Sequence, residues 1–114
     1  MADWPNSWMG SEKDIVPGEH LVGCFQSFCE RLLMTNPTRK TVHKHINNLW
    51  LLGGEVIRDL NQDGNLRKIP IELLLLQVLD EDGGPLIHNG SEEEQLSFDS
   101  TCRKLYRFLA DPVR

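Results

Sequence analysis

The sequence predicts an all-α domain, a four-helix orthogonal bundle preceded by a flexible N-terminal tail. Three observations predict it. Apolar residues recur at spacings of four, three and four in Leu21, Phe25, Phe28 and Leu32, and again in Phe98, Cys102, Leu105 and Leu109, the spacing that lines up side chains along one side of a helix. Helix-start chemistry stands at Asn36-Pro37 and at Ser91 to Glu94. Polar segments rich in Gly, Pro, Asn and Asp separate the apolar stripes, as loops between packed helices require.

Residues 1–17 are rich in Gly, Pro, Ser and Asp and show no helical period, so they are expected to form a tail, with the single helical domain occupying residues 18–114. Trp4 and Trp8 qualify that expectation. Each indole can remove a large apolar area from water, so the tail is expected to be either flexible or docked through Trp4 and Trp8, on its own domain or on a partner. The first helix is expected from about Glu19 to Met34, its buried side widened by Val22, Cys29 and Leu33. Asn36 is expected to cap the second helix, with Pro37 in the first turn where a missing N–H is harmless. Val42, Ile46, Leu49, Gly53, Val56, Ile57 and Leu60 fall on one side of that helix. Lys40, His43, Lys44, Asn47 and Asn48 fall mostly on the other. Gly53-Gly54 in its middle implies close approach of another element or a kink, since each glycine costs about 1 kcal/mol relative to alanine.

Asn61 to Asn65 reads as a turn, and Pro70 as the opening of a third helix through Asp80 that carries Leu73, Leu74, Leu76 and Leu79, with Ile69 and Ile71 neighbouring, and is expected to be the most buried element. Gly83-Gly84-Pro85 ends it. Ser91-Glu92-Glu93-Glu94 matches a capping box at the head of the fourth helix.

At 114 residues the chain fits one domain, and its 39% hydrophobic and 25% charged content is that of a folded protein rather than a disordered one. The start lacks the basic and apolar regions of a secretion signal. The longest apolar run, Leu73 to Leu76, is far short of the ~18 residues that cross a bilayer. Cys24, Cys29 and Cys102 have no paired spacing and lie on or beside apolar stripes, so reduced thiols and a cytoplasmic location are expected.

The net charge of −5 hides a partition along the chain. Residues 31–68 carry seven basic and three acidic side chains, whereas residues 69–100 carry eight acids and neither Lys nor Arg. Such asymmetry can build a positive face on an acidic protein. Arg39, Lys40, Lys44 and Asn47 lie on or beside the side of the second helix away from its apolar stripe, and Arg103, Lys104 and Arg107 extend the patch if the fourth helix runs alongside. Lys and Arg neutralise phosphates and Asn can bond base edges or backbone, so these seven residues are the expected nucleic-acid contacts.

Other chemistry is not expected. Asp59 to Leu66 matches the first eight positions of an EF-hand loop, but the twelfth position, which should be a bidentate glutamate, is Pro70, and Glu72 comes two residues late. A polar connector is the simpler expectation. His43 and His45 point about 200° apart on a helix and cannot share a metal; together with His20 and His88 they are expected at the surface. No phosphate loop, nucleophile elbow or Ser-His-Asp or Cys-His arrangement is present, so neither catalysis nor a metal or other cofactor is expected.

The run LVGCFQSFCERLL, the segment NPTRKTVHKHINNLWLLGG, a short apolar helix and a terminal STCRKLYRFLA together resemble the SAM-like, core-binding N-terminal domain of phage integrases and other tyrosine recombinases. The resemblance covers about Glu19 to Ala110. It implies a bacterial setting and a four-helix module that clamps one side of double-stranded DNA, with Thr38-Arg39-Lys40-Thr41 opening a helix near the phosphates. In that family the catalytic residues belong to a second domain, so DNA contact without strand cleavage is implied here. The family's domains are usually basic, and this one is acidic. The alternative expectation is a protein-interaction or assembly module that uses the Trp4/Trp8 tail or the leucine-rich third helix.

Overall fold

Helix follows helix because the apolar stripes have a common core to meet. The computed structural model describes residues 1–87 and 90–112. Its α-helices are α1 (Trp4–Trp8), α2 (Ile15–Leu33), α3 (Arg39–Gln62), α4 (Ile71–Val78) and α5 (Glu92–Ala110), with 3-10 turns at Glu12–Asp14 and Gly64–Lys68. Among the described residues there is no strand, only an isolated bridge between Asp80 and Gly83. None of the helices is long and apolar enough to cross a membrane among the described residues.

The stripes expected from spacing form the core. Leu21 and Phe25 of α2, Leu49, Leu52, Val56, Ile57 and Leu60 of α3, Leu74 and Leu75 of α4, and Phe98, Cys102 and Leu105 of α5 are buried together. Each such side chain contributes about 1.5–3 kcal/mol by leaving water. The capping box forms as its residues predict: the Ser91 hydroxyl accepts from Glu94 N–H at 3.1 Å while the Glu94 carboxylate accepts from Ser91 N–H. α4 is less buried than expected, because Leu73 points outward and is 53% exposed. Helix α4 spans only eight residues, enough for one buried side.

The N-terminus departs most from the sequence reading. Trp4–Trp8 is a fifth helix packed on α2 and α3, and α2 begins at Ile15 rather than Glu19, so residue 17 falls inside a helix. Pro17 does not block that start because it lies in the first turn, where backbone N–H groups have no helical acceptor. Trp8 lies over Gly53, and its rings and those of Trp4 meet Phe25 at centroid distances of 6.4 Å.

The break between α2 and α3 also has different chemistry. Asn36 takes a left-handed φ of 54°, a conformation that a short polar side chain tolerates, and it terminates α2. The cap of α3 is Thr38, whose hydroxyl accepts from Thr41 N–H at 3.2 Å. Asp59 to Gln62 form the end of α3 and Gly64–Lys68 a 3-10 turn, so the segment that resembles a calcium loop is largely helical.

Candidate nucleic-acid interface

The second half of the positive patch depends on how α5 meets α3. Lys44 and His45 reach Ser100 and Thr101, while Asn48 reaches back to Ser97, so contacts descend α5 as they ascend α3 and the helices run antiparallel. The first turns of α3 therefore lie beside the last turns of α5.

A buried polar seam sets this register. Asn48 donates from Nδ2 to the Ser97 carbonyl at 3.0 Å and to Thr101 Oγ1 at 2.9 Å, and Thr101 Oγ1 lies 2.7 Å from His45 Nδ1. His45 and Asn48 were expected among surface groups, but both are buried, His45 completely. Their partners come from another helix, which periodicity within α3 cannot reveal. His45 Nε2 has no hydrogen-bond partner among the described residues. Burial, with Lys44 and Lys104 nearby, lowers the imidazole pKa from 6.5 to about 4, so the ring is neutral at pH 7. His43 and His20 are exposed as expected; His88 lies outside the described residues.

Around this seam the cations collect. Lys44 Nζ donates to Ser100 Oγ at 3.4 Å, and one turn further along each helix come Lys40 and Lys104, with Arg39 and Arg107 beyond them. Arg39, Lys40, Lys104 and Arg107 are exposed. The ion pair between Arg67 and Asp14 lies at the other end of α3. Arg31, at the C-terminal end of α2, joins the cations: its guanidinium carbon lies 5.7 Å from the centre of the Phe108 ring, and it shares a cleft with Lys104, Arg107 and Asp111. The sequence reading missed Arg31 because the approach of α2 to the end of α5 is a tertiary fact.

One expected contact, Arg103, is diverted by a neighbour. The Arg103 side chain turns away from those cations toward the connection between α4 and α5 and donates to the Asp82 carbonyl at 3.3 Å. On a helix it sits about 60° behind Ser100, on the edge that faces the α4–α5 connection. Asn47 is exposed and follows Lys40 and Lys44 at spacings of four and three on the same side of α3, where it also forms part of the rim of a hollow with Trp4, Ile46, Trp50 and Leu51.

The opposite end of α3 carries a separate electrostatic centre. Asp14, fully buried, accepts from Gly10 N–H at 2.7 Å, Ser11 N–H, Asn61 Nδ2 and Arg67 at 2.8 Å. Burial pushes its pKa up, but these donors outweigh it and hold the carboxyl at about 2. Burial also raises the pKa of the Cys29 and Cys102 thiols, for Cys102 with a contribution from Asp99. No cluster of three His, Cys, Asp or Glu side chains is close enough to hold a metal ion among the described residues.

Trp4 and Trp8, one expected route to a protein partner, face their own core. Of the leucines in the other route, α4, Leu74 and Leu75 are buried and Leu73 is exposed. Comparisons with family models, with curated proteins and with solved structures gave no match to this chain.

Proposed function

We propose that the chain is a non-enzymatic DNA-binding module of the reducing cytoplasm, which grips the phosphate backbone of double-stranded DNA along the ridge where the start of α3 meets the end of α5. The observation that carries this reading is the convergence of Lys40, Lys44, Lys104 and Arg107, with Arg39 in the first turn of α3, where the start of α3 meets the end of α5 on an acidic protein. Clustered cations repel one another and gain from a polyanion. The positive end of the α3 dipole adds to the attraction for phosphate. The likeness of the helix pattern to the core-binding domain of tyrosine recombinases supports the same partner. Arg103, turned toward Asp82, is left out of the contact.

Fluorescence anisotropy of a labelled duplex over a range of salt tests the reading. About four neutralised phosphates predict a slope of log affinity against log salt of roughly −3 to −4. The double variant Lys44→Glu, Lys104→Glu should weaken binding at least about tenfold, and Arg103→Glu much less. Absence of duplex binding at low salt overturns the proposal.

A further inference from the structure

The outward side of α3 continues beyond the lysines into an unusual aromatic group. Arg39, His43, Asn47 and Trp50 follow one another at spacings of four, four and three, so they form one stripe, and all four are exposed. Trp50 is 41% exposed, yet its ring is fixed. The indole Nε1 donates to Ser7 Oγ at 3.0 Å, and Ser7 Oγ donates in turn to the Trp4 carbonyl at 2.8 Å. The backbone beneath it is held too, because Trp8 Nε1 donates to the Trp50 carbonyl at 3.0 Å. The docked α1 thus orients a large ring whose polar atom is already satisfied, which leaves an apolar surface turned to water. In front of it lies a hollow of about 480 Å³, walled by Trp4, Ile46 and Leu51 with the Asn47 amide at its edge.

We infer that this hollow is the seat of an unpaired nucleobase, stacked on Trp50 and bonded at its edge by Asn47, so that the module prefers DNA with a single-stranded flank to fully paired duplex. The inference rests on the proposed phosphate contact and adds the base. An apolar wall with one amide suits a flat heterocycle, because any base presents a π-face to an aromatic platform while its polar edge needs a hydrogen-bonding partner. Charge selects the occupant. Asn47 continues the row of Lys40 and Lys44 at spacings of four and three, and Trp50 stands about 60° around the helix from Asn47 and about 9 Å along it from Lys44, so a strand whose phosphates lie on those lysines is led past Asn47 to the hollow in front of the ring. A partner protein's apolar side chain would use the ring but not the ridge.

Three ligands test it with the protein unchanged: a blunt duplex, the same duplex with a short thymine extension, and that extension made abasic. The thymine extension should tighten binding about fivefold or more, the lower end of what stacking one base on an aromatic ring contributes, and should quench tryptophan emission. The abasic extension, with equal phosphates, should give little of that gain. Trp50→Leu should lose the gain but keep blunt-duplex affinity, and Trp50→Phe should keep part of it. Equal gains from the thymine and abasic extensions overturn the base seat and leave the phosphate reading standing, with the hollow then open to a protein side chain. Failure of all three ligands to bind at low salt removes both.

Discussion

Gly53 and Gly54 stand side by side in α3 and meet Trp8 differently. A Cβ on Gly53 would fall 2.1 Å from Trp8 Cζ2 and 2.4 Å from Cη2, inside the ring's contact surface. A Cβ on Gly54 would meet Trp8 Cδ1 at 3.5 Å, an ordinary contact. Gly53→Ala must therefore expel the indole, at a cost of about 1–3 kcal/mol for overpacking that exceeds the gain of up to about 1 kcal/mol in helix propensity. Gly54→Ala should show that gain with little offset. Urea unfolding of the two variants checks the contrast: Gly53→Ala lowers the midpoint and Gly54→Ala leaves it unchanged or raises it. Equal effects would mean that Trp8 does not occupy this notch. The sequence signalled a close approach at these glycines, but not its source, since nothing in a five-residue segment containing Pro5 announces that its tryptophans fit a notch some forty-five positions away.

Helix α1 is too short to persist alone, so its place depends on the elements around it. Its second anchor is Asp14, which ties the Gly10-Ser11 backbone to Asn61 at the end of α3 and to Arg67 in the following 3-10 turn. Asp14→Asn keeps the size of the side chain but removes the charge that all four donors address and leaves Arg67 without its ion pair. A loss of about 3 kcal/mol is expected, with faster hydrogen exchange across residues 4–11 than in α5. Uniform exchange throughout the chain would show that this centre is not a local clasp. The elements most legible in the sequence are those set by local chemistry, such as the Ser91 capping box and the stripes of α2 and α5. Helix α1 was not legible, because tertiary contact rather than period creates it. The site divides in the same way. Lys40, Lys44, Lys104 and Arg107 follow from helical spacing once α5 lies beside α3. The diversion of Arg103 to Asp82, the burial of His45 and Asn48, and the fixing of Trp50 by Ser7 each depend on a neighbour that only the folded chain supplies.

For the molecule as a whole, His45 and Asp14, both fully buried, bear on stability in the same direction. His45 has a folded pKa of about 4 against an ordinary 6.5, so as pH falls through that interval the unfolded chain takes up a proton that the native ring refuses. Stability is therefore fully present above pH 6.5 and declines toward pH 4, by an amount on the order of 3 kcal/mol. Asp14 acts lower. Its carboxyl titrates at about 2 in the fold against 3.8, so its contribution, about 2 kcal/mol, is present above pH 3.8 and is lost as pH falls toward 2. The two windows adjoin, which predicts a progressive loss of stability from pH 6.5 downward rather than one acid transition. His45→Gln separates them, because an amide oxygen can accept from the Thr101 hydroxyl without titrating. Urea midpoints measured at pH 7 and pH 4.5 should drop steeply in the original protein and much less in this variant, even if its stability at pH 7 is lower. An equal drop in both would assign the upper window to other groups and sever the acid sensitivity of the fold from the seam that joins α3 to α5.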